Sequence, residues 1–137
     1  MTRVYVDMVA DLFHAGHVEF LRQAKSLGDE LVVGVHSDET VESYKRRPIM
    51  SMAERVAVVA GCRYVDEVVP DAPLALTATY LAEHRIDLVV HGDDLDEASA
   101  RMMYGAAMDL GIYRTVSYTP GVSTTDLLER LRQRLAQ

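Results

Sequence analysis

His14 and His17 stand three residues apart around Gly16, in the stretch Asp11-Leu12-Phe13-His14-Ala15-Gly16-His17. An apolar run precedes this stretch and a helical pattern follows it, so both imidazoles can face one place at a helix N-terminus. The glycine lets backbone approach a ligand closely. Free amides and the helix dipole favour an anion there. Two imidazole donors beside unpaired amides make a phosphate cradle; the plainer alternative is a turn residue and a helix cap. Zinc is disfavoured, because no third ligand lies nearby and the single thiol, Cys62, is remote.

Three further groups carry comparable chemistry. Gly121 and Ser123-Thr124-Thr125 offer hydroxyls and amides at the start of the last helical pattern, where Ser123 can also act as a cap. Lys45, Arg46, Arg55 and Arg63 form a positive set, arginine matching phosphate oxygens bidentately and lysine acting as a mobile charge; Arg47 reads as solvated surface. His91-Gly92-Asp93-Asp94 can hold a ribose hydroxyl, a base amine or a hydrated Mg²⁺, or can be a strand-to-helix turn with an aspartate cap.

These groups need elements to position them. Short β-branched runs occur at 3–7, 31–36, 64–69, 87–91 and 113–118. Helical patterns lie between, at 17–28 with Gly28 as cap, 51–60, 74–84 after Pro73, 97–110 ended by Gly111, and from Ser123 onward. Ser51 to Glu54 and Ser123 to Asp126 read as capping boxes. Residues 38–48 show no clear period and read as a basic loop. Strands alternating with helices predict an α/β, Rossmann-like, doubly wound parallel sheet of five strands in a single domain over residues 1–137. Ligands bind such sheets beyond the carboxyl ends of the strands, where all four groups fall.

At 137 residues the chain matches one domain of roughly 100–200 residues. Its charge of −7 argues against a general nucleic-acid binder. One cysteine suits a reducing, cytoplasmic setting, and no signal peptide or membrane-spanning run is visible. No G-x-G-x-x-G, no P-loop and no nucleophile elbow occurs, which disfavours dinucleotide enzymes, P-loop ATPases and acyl transfer.

The sequence resembles the cytidylyltransferase family of the H-x-G-H nucleotidyltransferase superfamily. His14-Ala15-Gly16-His17 fits its first motif, 63–70 resembles R-x-V-D-E-V-x-P, and 121–125 matches the tail of R-T-x-G-I-S-T-T. The likeness runs over about 4–131, and 34–39 with 121–126 look most like the ethanolamine-phosphate members. The resemblance implies CTP as substrate, Mg²⁺, a homodimer and a small phosphorylated partner molecule, without nucleic acid or membrane. It implies that His14, His17 and Lys45 carry the reaction. Asp11, Gly16, Arg46, Gly92, Asp94, Thr119, Gly121, Ser123 and Thr124 would hold the nucleotide, with Asp11 orienting the site or a metal. Met8, Arg55, Arg63 and Tyr118 would meet the acceptor.

Two departures from the family pattern bear on the acceptor. Met8 stands where glycine is usual, and Tyr118-Thr119-Pro120-Gly121 lacks the motif's arginine, which Arg114 would have to replace. Both point to an altered acceptor pocket and to a phosphonate such as 2-hydroxyethylphosphonate or 2-aminoethylphosphonate, alongside phosphoethanolamine and glycerol 3-phosphate. An adenylyltransferase of the same superfamily and a non-catalytic nucleotide-binding module are the alternatives.

Overall fold

The computed structural model describes residues 1–117 and 122–137. Among them, five parallel strands form one sheet in the order β3-β2-β1-β4-β5. The strands are β1 (Arg3–Met8), β2 (Glu30–Val35), β3 (Glu67–Pro70), β4 (Leu88–Gly92) and β5 (Tyr113–Val116). The helices are α1 (Ala15–Lys25), α2 (Asp38–Glu42), α3 (Met52–Ala60), α4 (Ala78–Glu83), α5 (Glu97–Asp109) and α6 (Thr124–Leu135). The chain runs outward from β1 to β3, then returns to the other side of β1 as β4. The crevice therefore opens between the carboxyl ends of β1 and β4, at the switch in strand order.

Period-two alternation sorts the core onto two faces. Val4, Val6, Leu31, Val33 and Val35 pack with Leu21, Ala24 and Val59 under α1 and α3. Tyr5, Val32 and Val89 pack with Leu81, Tyr104 and Ala107 under α4 and α5. The same alternation puts Asp7 and His36 on the α5 face, one step beyond Tyr5 and Gly34, and leaves Met8 packed on the α1 face.

Several boundaries differ from the sequence reading. α1 begins at Ala15, because His14 is its cap, and it ends at Ser26, whose N–H reaches back to Arg22 and Ala24; Gly28 lies beyond it. The expected helix at 74–84 shrinks to α4 capped by Thr77, since Leu76 is buried and its N–H bonds the Met103 carbonyl 2.9 Å away. The aperiodic stretch at 38–48 contains α2, capped by Ser37. The Ser51–Glu54 capping box forms in both directions. Ser123 accepts from the Asp126 N–H as the α6 cap. Gly111 ends the turn after α5 at φ 72, a backbone state that glycine adopts without cost.

Candidate active site

The two histidines cap their own helix. The His14 Nδ1 accepts from the Gly16 N–H at 3.0 Å, and the His17 Nδ1 accepts from the His14 N–H at 3.1 Å. With each Nδ1 lone pair spent on backbone, each neutral imidazole carries its proton on Nε2. The rings lie 4.0 Å apart, and Phe13 stacks on His17. Burial pushes the His17 imidazole down to about 4, with His14 and Lys45 adding to the effect and Asp11 opposing it. Burial lowers His14 as well. At neutral pH the pair are therefore uncharged hydrogen-bond donors beside a helix N-terminus.

The loop leading into α1 is held by force from three sides. Ala10 and Leu12 adopt left-handed φ values of 62 and 48, which non-glycine residues rarely do. Both Asp11 carboxylate oxygens accept backbone N–H groups, from Ile49 and Met50, each at 2.9 Å. The Arg55 guanidinium donates to the Val9 carbonyl at 2.8 Å, and the Thr124 Oγ1 donates to the Asp11 carbonyl at 2.9 Å. Strain of this kind persists only where the surroundings over-determine it.

These ties bring two helix N-termini together. A Cβ on Gly16 would lie 2.8 Å from the Val122 carbonyl and 2.8 Å from the His14 ring, so only glycine fits between α1 and the approach to α6. Both termini open on a cleft of ≈ 650 Å³ lined by His14, Gly16, His17, Lys45, Ser123 and Thr124 among others. A recess of ≈ 130 Å³ beside it is bounded by Asp11, His17, Lys45, Arg46 and Thr124. Lys45 is exposed at the mouth, yet partial desolvation first, and Arg46 second, hold its ammonium below the usual lysine range against the pull of Asp11.

The opposite end of the same cleft is negative. Asp7 is buried at the end of β1, where the Tyr104 hydroxyl donates to its Oδ1 at 2.5 Å. Its Oδ2 has no hydrogen-bond partner among the described residues; nor has the His36 Nε2, 3.4 Å away. Five tyrosines, Tyr5, Tyr44, Tyr80, Tyr104 and Tyr113, are raised above the ordinary phenol value, by burial foremost and by the Asp7 charge in every one. Tyr44 is pushed up to about 12.

A cleft that offers phosphate-suited amides at one end and a buried carboxylate at the other, at the switch point of a parallel sheet, accords with the chain's relatives. The cytidylyltransferase-like family model matches residues 8–130. The chain belongs to the cytidylyltransferase-like family. It is 44% identical over 133 residues to the ethanolamine-phosphate cytidylyltransferase of Dictyostelium discoideum, covering 93% of this chain and 37% of that protein. It is 46% identical over 133 residues to choline-phosphate cytidylyltransferase A of Mus musculus, covering 94% and 36%. The crystal structure of the lipopolysaccharide core biosynthesis protein from Thermoplasma volcanium GSS1 matches with TM-score 0.72 at 30% identity, covering 87% of this chain and 98% of that one. The chain thus spans well under half the length of the two cytidylyltransferases it matches.

In this cytidylyltransferase-like chain the cleft gathers His14, Gly16, His17, Lys45, Arg46, Gly92, Asp94, Ser123, Thr124 and Met8. Tyr118, Thr119 and Gly121 lie outside the described residues. Met8 enters from the α1 face, on the other side of the sheet from Asp7. Two expected acceptor-binding residues are elsewhere. Arg55 is fully buried, and its guanidinium is spent on the carbonyls of Val9, His36 and Met50 and on the Asp38 carboxylate at 2.6 Å. Arg63 lies exposed on the Tyr64 ring, three residues before Asp66, which bonds the Leu31 N–H at the opening of β2 and so marks the amino end of the sheet. Asp11 orients the loop, but with both oxygens taken by N–H groups it has little left for a metal.

Sequence reasoning missed Asp7, His36 and Tyr104. In the sequence Asp7 is only the last residue of the run at 3–7, and Tyr104 lies within the helical pattern at 97–110 with no role assigned to it. Their partnership spans 97 residues, and no local spacing signals it. Among the described residues no cluster of three or more His, Cys, Asp or Glu side chains could hold a metal. Mg²⁺ is usually held by one or two carboxylates plus phosphate oxygens. Asp94 is the carboxylate at hand on the cleft wall. No described helix is long and apolar enough to cross a membrane.

Proposed function

We propose that this chain transfers CMP from CTP to a small phosphorylated or phosphonylated amino alcohol or amine, releasing pyrophosphate. The observation that carries the reading is the meeting of the α1 and α6 N-termini, with the imidazole pair, on one cleft that ends in the buried Asp7 carboxylate.

An acceptor phosphate or phosphonate oxygen is anionic at neutral pH, so no protein base is needed. That oxygen forms a bond to the α-phosphorus of CTP. The bond from the α-phosphorus to the bridging oxygen breaks in line with it, and pyrophosphate leaves with the electron pair. Catalysis is then positioning and charge stabilisation. His14 and His17 donate from Nε2, Lys45 supplies a mobile positive charge, and the recess of Lys45, Arg46 and Thr124 suits the departing phosphates. Being neutral, the imidazoles act as dipoles that need not lose a proton. Asp94, on the cleft wall, would hold a Mg²⁺ together with phosphate oxygens, and the ion would supply further neutralisation of the leaving group.

Asp7 gives the acceptor's other end its partner. A head group that is cationic matches a buried carboxylate better than a neutral hydroxyl does. Phosphoethanolamine and 2-aminoethylphosphonate, which differ by one bridging oxygen, both meet this requirement. Glycerol 3-phosphate and 2-hydroxyethylphosphonate do not.

The test is pyrophosphate release from each of the four nucleoside triphosphates with phosphoethanolamine, phosphocholine, glycerol 3-phosphate and the two phosphonates. Turnover with CTP and an amine acceptor is expected. Turnover with ATP alone would make the chain an adenylyltransferase, and CTP binding without pyrophosphate release would make it a binding module. Asp7→Asn should raise KM for the amine acceptor about 10–100-fold, the worth of a hydrogen bond to a charged group, and should change KM for a hydroxyl acceptor much less.

A further inference from the structure

We propose that Tyr44 is the positioning residue for Lys45: its ring, tethered to the buried His36, sets where the lysine ammonium stands at the mouth of the cleft. This rests on the reading of Lys45 given above and adds the residue through which the fold controls it.

Lys45, Arg46 and Arg47 are three consecutive cations. Arg47 is tied down by ion pairs to Asp38 and Glu42. The Lys45 ammonium has neither an ion pair nor a hydrogen bond among the described residues; it stands 5.9 Å from the centroid of the Tyr44 ring. A lysine without a partner spreads over many rotamers. A ring face attracts the cation and narrows that spread. It also consumes none of the N–H groups, so all three donors stay available for phosphate. A carboxylate in the same place would hold the lysine harder and cancel the charge that the reaction needs. Burial, His14 and Lys45 together push the His17 imidazole down, so the lysine charge in this position is felt at the reacting end.

The ring is itself held in place. The Tyr44 and Lys45 N–H groups both bond the carbonyl of Val41, at 3.1 and 2.9 Å, and Val41 is fully buried. The backbone under the ring is therefore the closing turn of α2. The ring meets the His36 imidazole at right angles, with centroids 6.3 Å apart, and its hydroxyl lies 3.2 Å from His36 Nδ1. His36 is buried and fixed in turn. Its N–H bonds the Met8 carbonyl at 3.1 Å, and its Nε2 lies 3.4 Å from the Asp7 carboxylate. A proton on Nε2 faces that carboxylate and leaves Nδ1 to accept from the Tyr44 hydroxyl. Burial first, and the Asp7 charge second, push the Tyr44 phenol up to about 12, so it keeps that proton at neutral pH. Tyr44 is half-exposed, resting on His36 and open to the lysine.

The experiment is a double-mutant cycle read by pyrophosphate release from CTP and phosphoethanolamine, with thermal melting and CTP binding by calorimetry as folding controls. Tyr44→Leu and Tyr44→Phe are each made in the wild type and in Lys45→Met. Tyr44→Leu removes the ring and should lower kcat about tenfold, with KM for phosphoethanolamine within about twofold, because a displaced group costs rate rather than acceptor binding. Tyr44→Phe keeps the ring and loses the tether, and should bring kcat back to within about threefold of wild type. In the Lys45→Met background neither change should cost more than about twofold, since residues that act as one unit do not add. A Tyr44→Leu loss of the same factor with and without Lys45 overturns the inference, because it makes Tyr44 a support for the fold or for His36. Wild-type kcat in Tyr44→Leu overturns it as well. Should Tyr44→Leu not fold, Tyr44→Gln is a second ring-free variant at this half-exposed position and is judged by the same outcomes. Additivity alongside a slow Lys45→Met overturns this inference alone. If Lys45→Met turns over like the wild type, or the wild type releases no pyrophosphate, the reading of Lys45 falls and this inference with it.

Discussion

The two ends of the cleft are built on opposite principles. At the end proposed for the phosphates the polar groups around α1 hold one another: His14 on the Gly16 amide, His17 on the His14 amide, Asp11 on two amides, Thr124 on Asp11. That end is tied together by its own backbone bonds around two left-handed residues, and it leaves the two imidazole Nε2–H groups to face the cleft. At the other end the buried Asp7 Oδ2 and His36 Nε2 lie 3.4 Å apart, with no hydrogen-bond partner among the described residues. On the proposed reading, shape is fixed where the reaction would need preorganised donors, and the buried Asp7 carboxylate lies where the acceptor would be recognised.

Arg55 joins the two ends, and its loss should have the largest effect. Its guanidinium bonds the Val9 carbonyl on the phosphate side and the His36 carbonyl on the head-group side, and it pairs with Asp38. Arg55→Met leaves those carbonyls and that carboxylate without their donor in a site with no water-exposed surface on the arginine. Breaking a buried pair by removing one partner costs about 3–5 kcal/mol. Urea denaturation should show a loss of that size; a loss under about 1 kcal/mol would mean that the two ends are held together by other contacts.

Next in size is the rate. His17→Ala should lower kcat about 10²–10³-fold, as removal of one preorganised donor does, with CTP affinity little changed. Equal losses in kcat and in CTP binding would show that His17 grips the ground state rather than the transition state. Asp7→Asn should do the reverse, moving KM of the acceptor and sparing kcat, and the pair of variants would separate the two ends kinetically.

The meeting of histidines and helix N-termini at one end of the cleft was legible in the sequence because its parts are local. His14, Gly16 and His17 fall within one helical turn, and Ser123 and Thr124 at the start of another, so spacing alone predicts helix-terminal donors. The five strands and their parallel arrangement were legible too, since buried β-branched runs alternate with capped helices. The head-group end was not, because Asp7, His36 and Tyr104 come from three elements and meet only through sheet register. Arg55 was misread for a related reason: a basic residue in a helix looks like a ligand for phosphate until its burial is known. The lost part of the 74–84 helix gives the same lesson, since the Leu76 bond to Met103 is a tertiary choice that overrides a local pattern.

Acid should strike the phosphate end first. His17 sits at about 4 in the folded protein against about 6.5 when unfolded. Between those values the unfolded chain binds the extra proton, so stability is full above about pH 6.5 and is lost as pH falls toward 4. Between pH 7 and 4.5 this one group should remove about 2–3 kcal/mol. His17→Gln should shrink that loss when the two proteins are melted at both pH values. An unchanged loss in the variant would mean that other groups set the acid limit.

The smallest effect should be the most selective. Thr124 ties the start of α6 to the Asp11 carbonyl through a single hydroxyl, at 2.9 Å. Thr124→Val keeps the shape and removes that bond, for about 1 kcal/mol of stability. The consequence for binding should be confined to the nucleotide. KM for CTP should rise several-fold as α6 loosens against the loop, while KM for the amine acceptor, which on the proposed reading depends on Asp7 at the other end, should stay within about twofold. If both constants move together, the ends are not independent, and the bonds that Arg55 makes to Val9 and His36 become the place to look for the coupling.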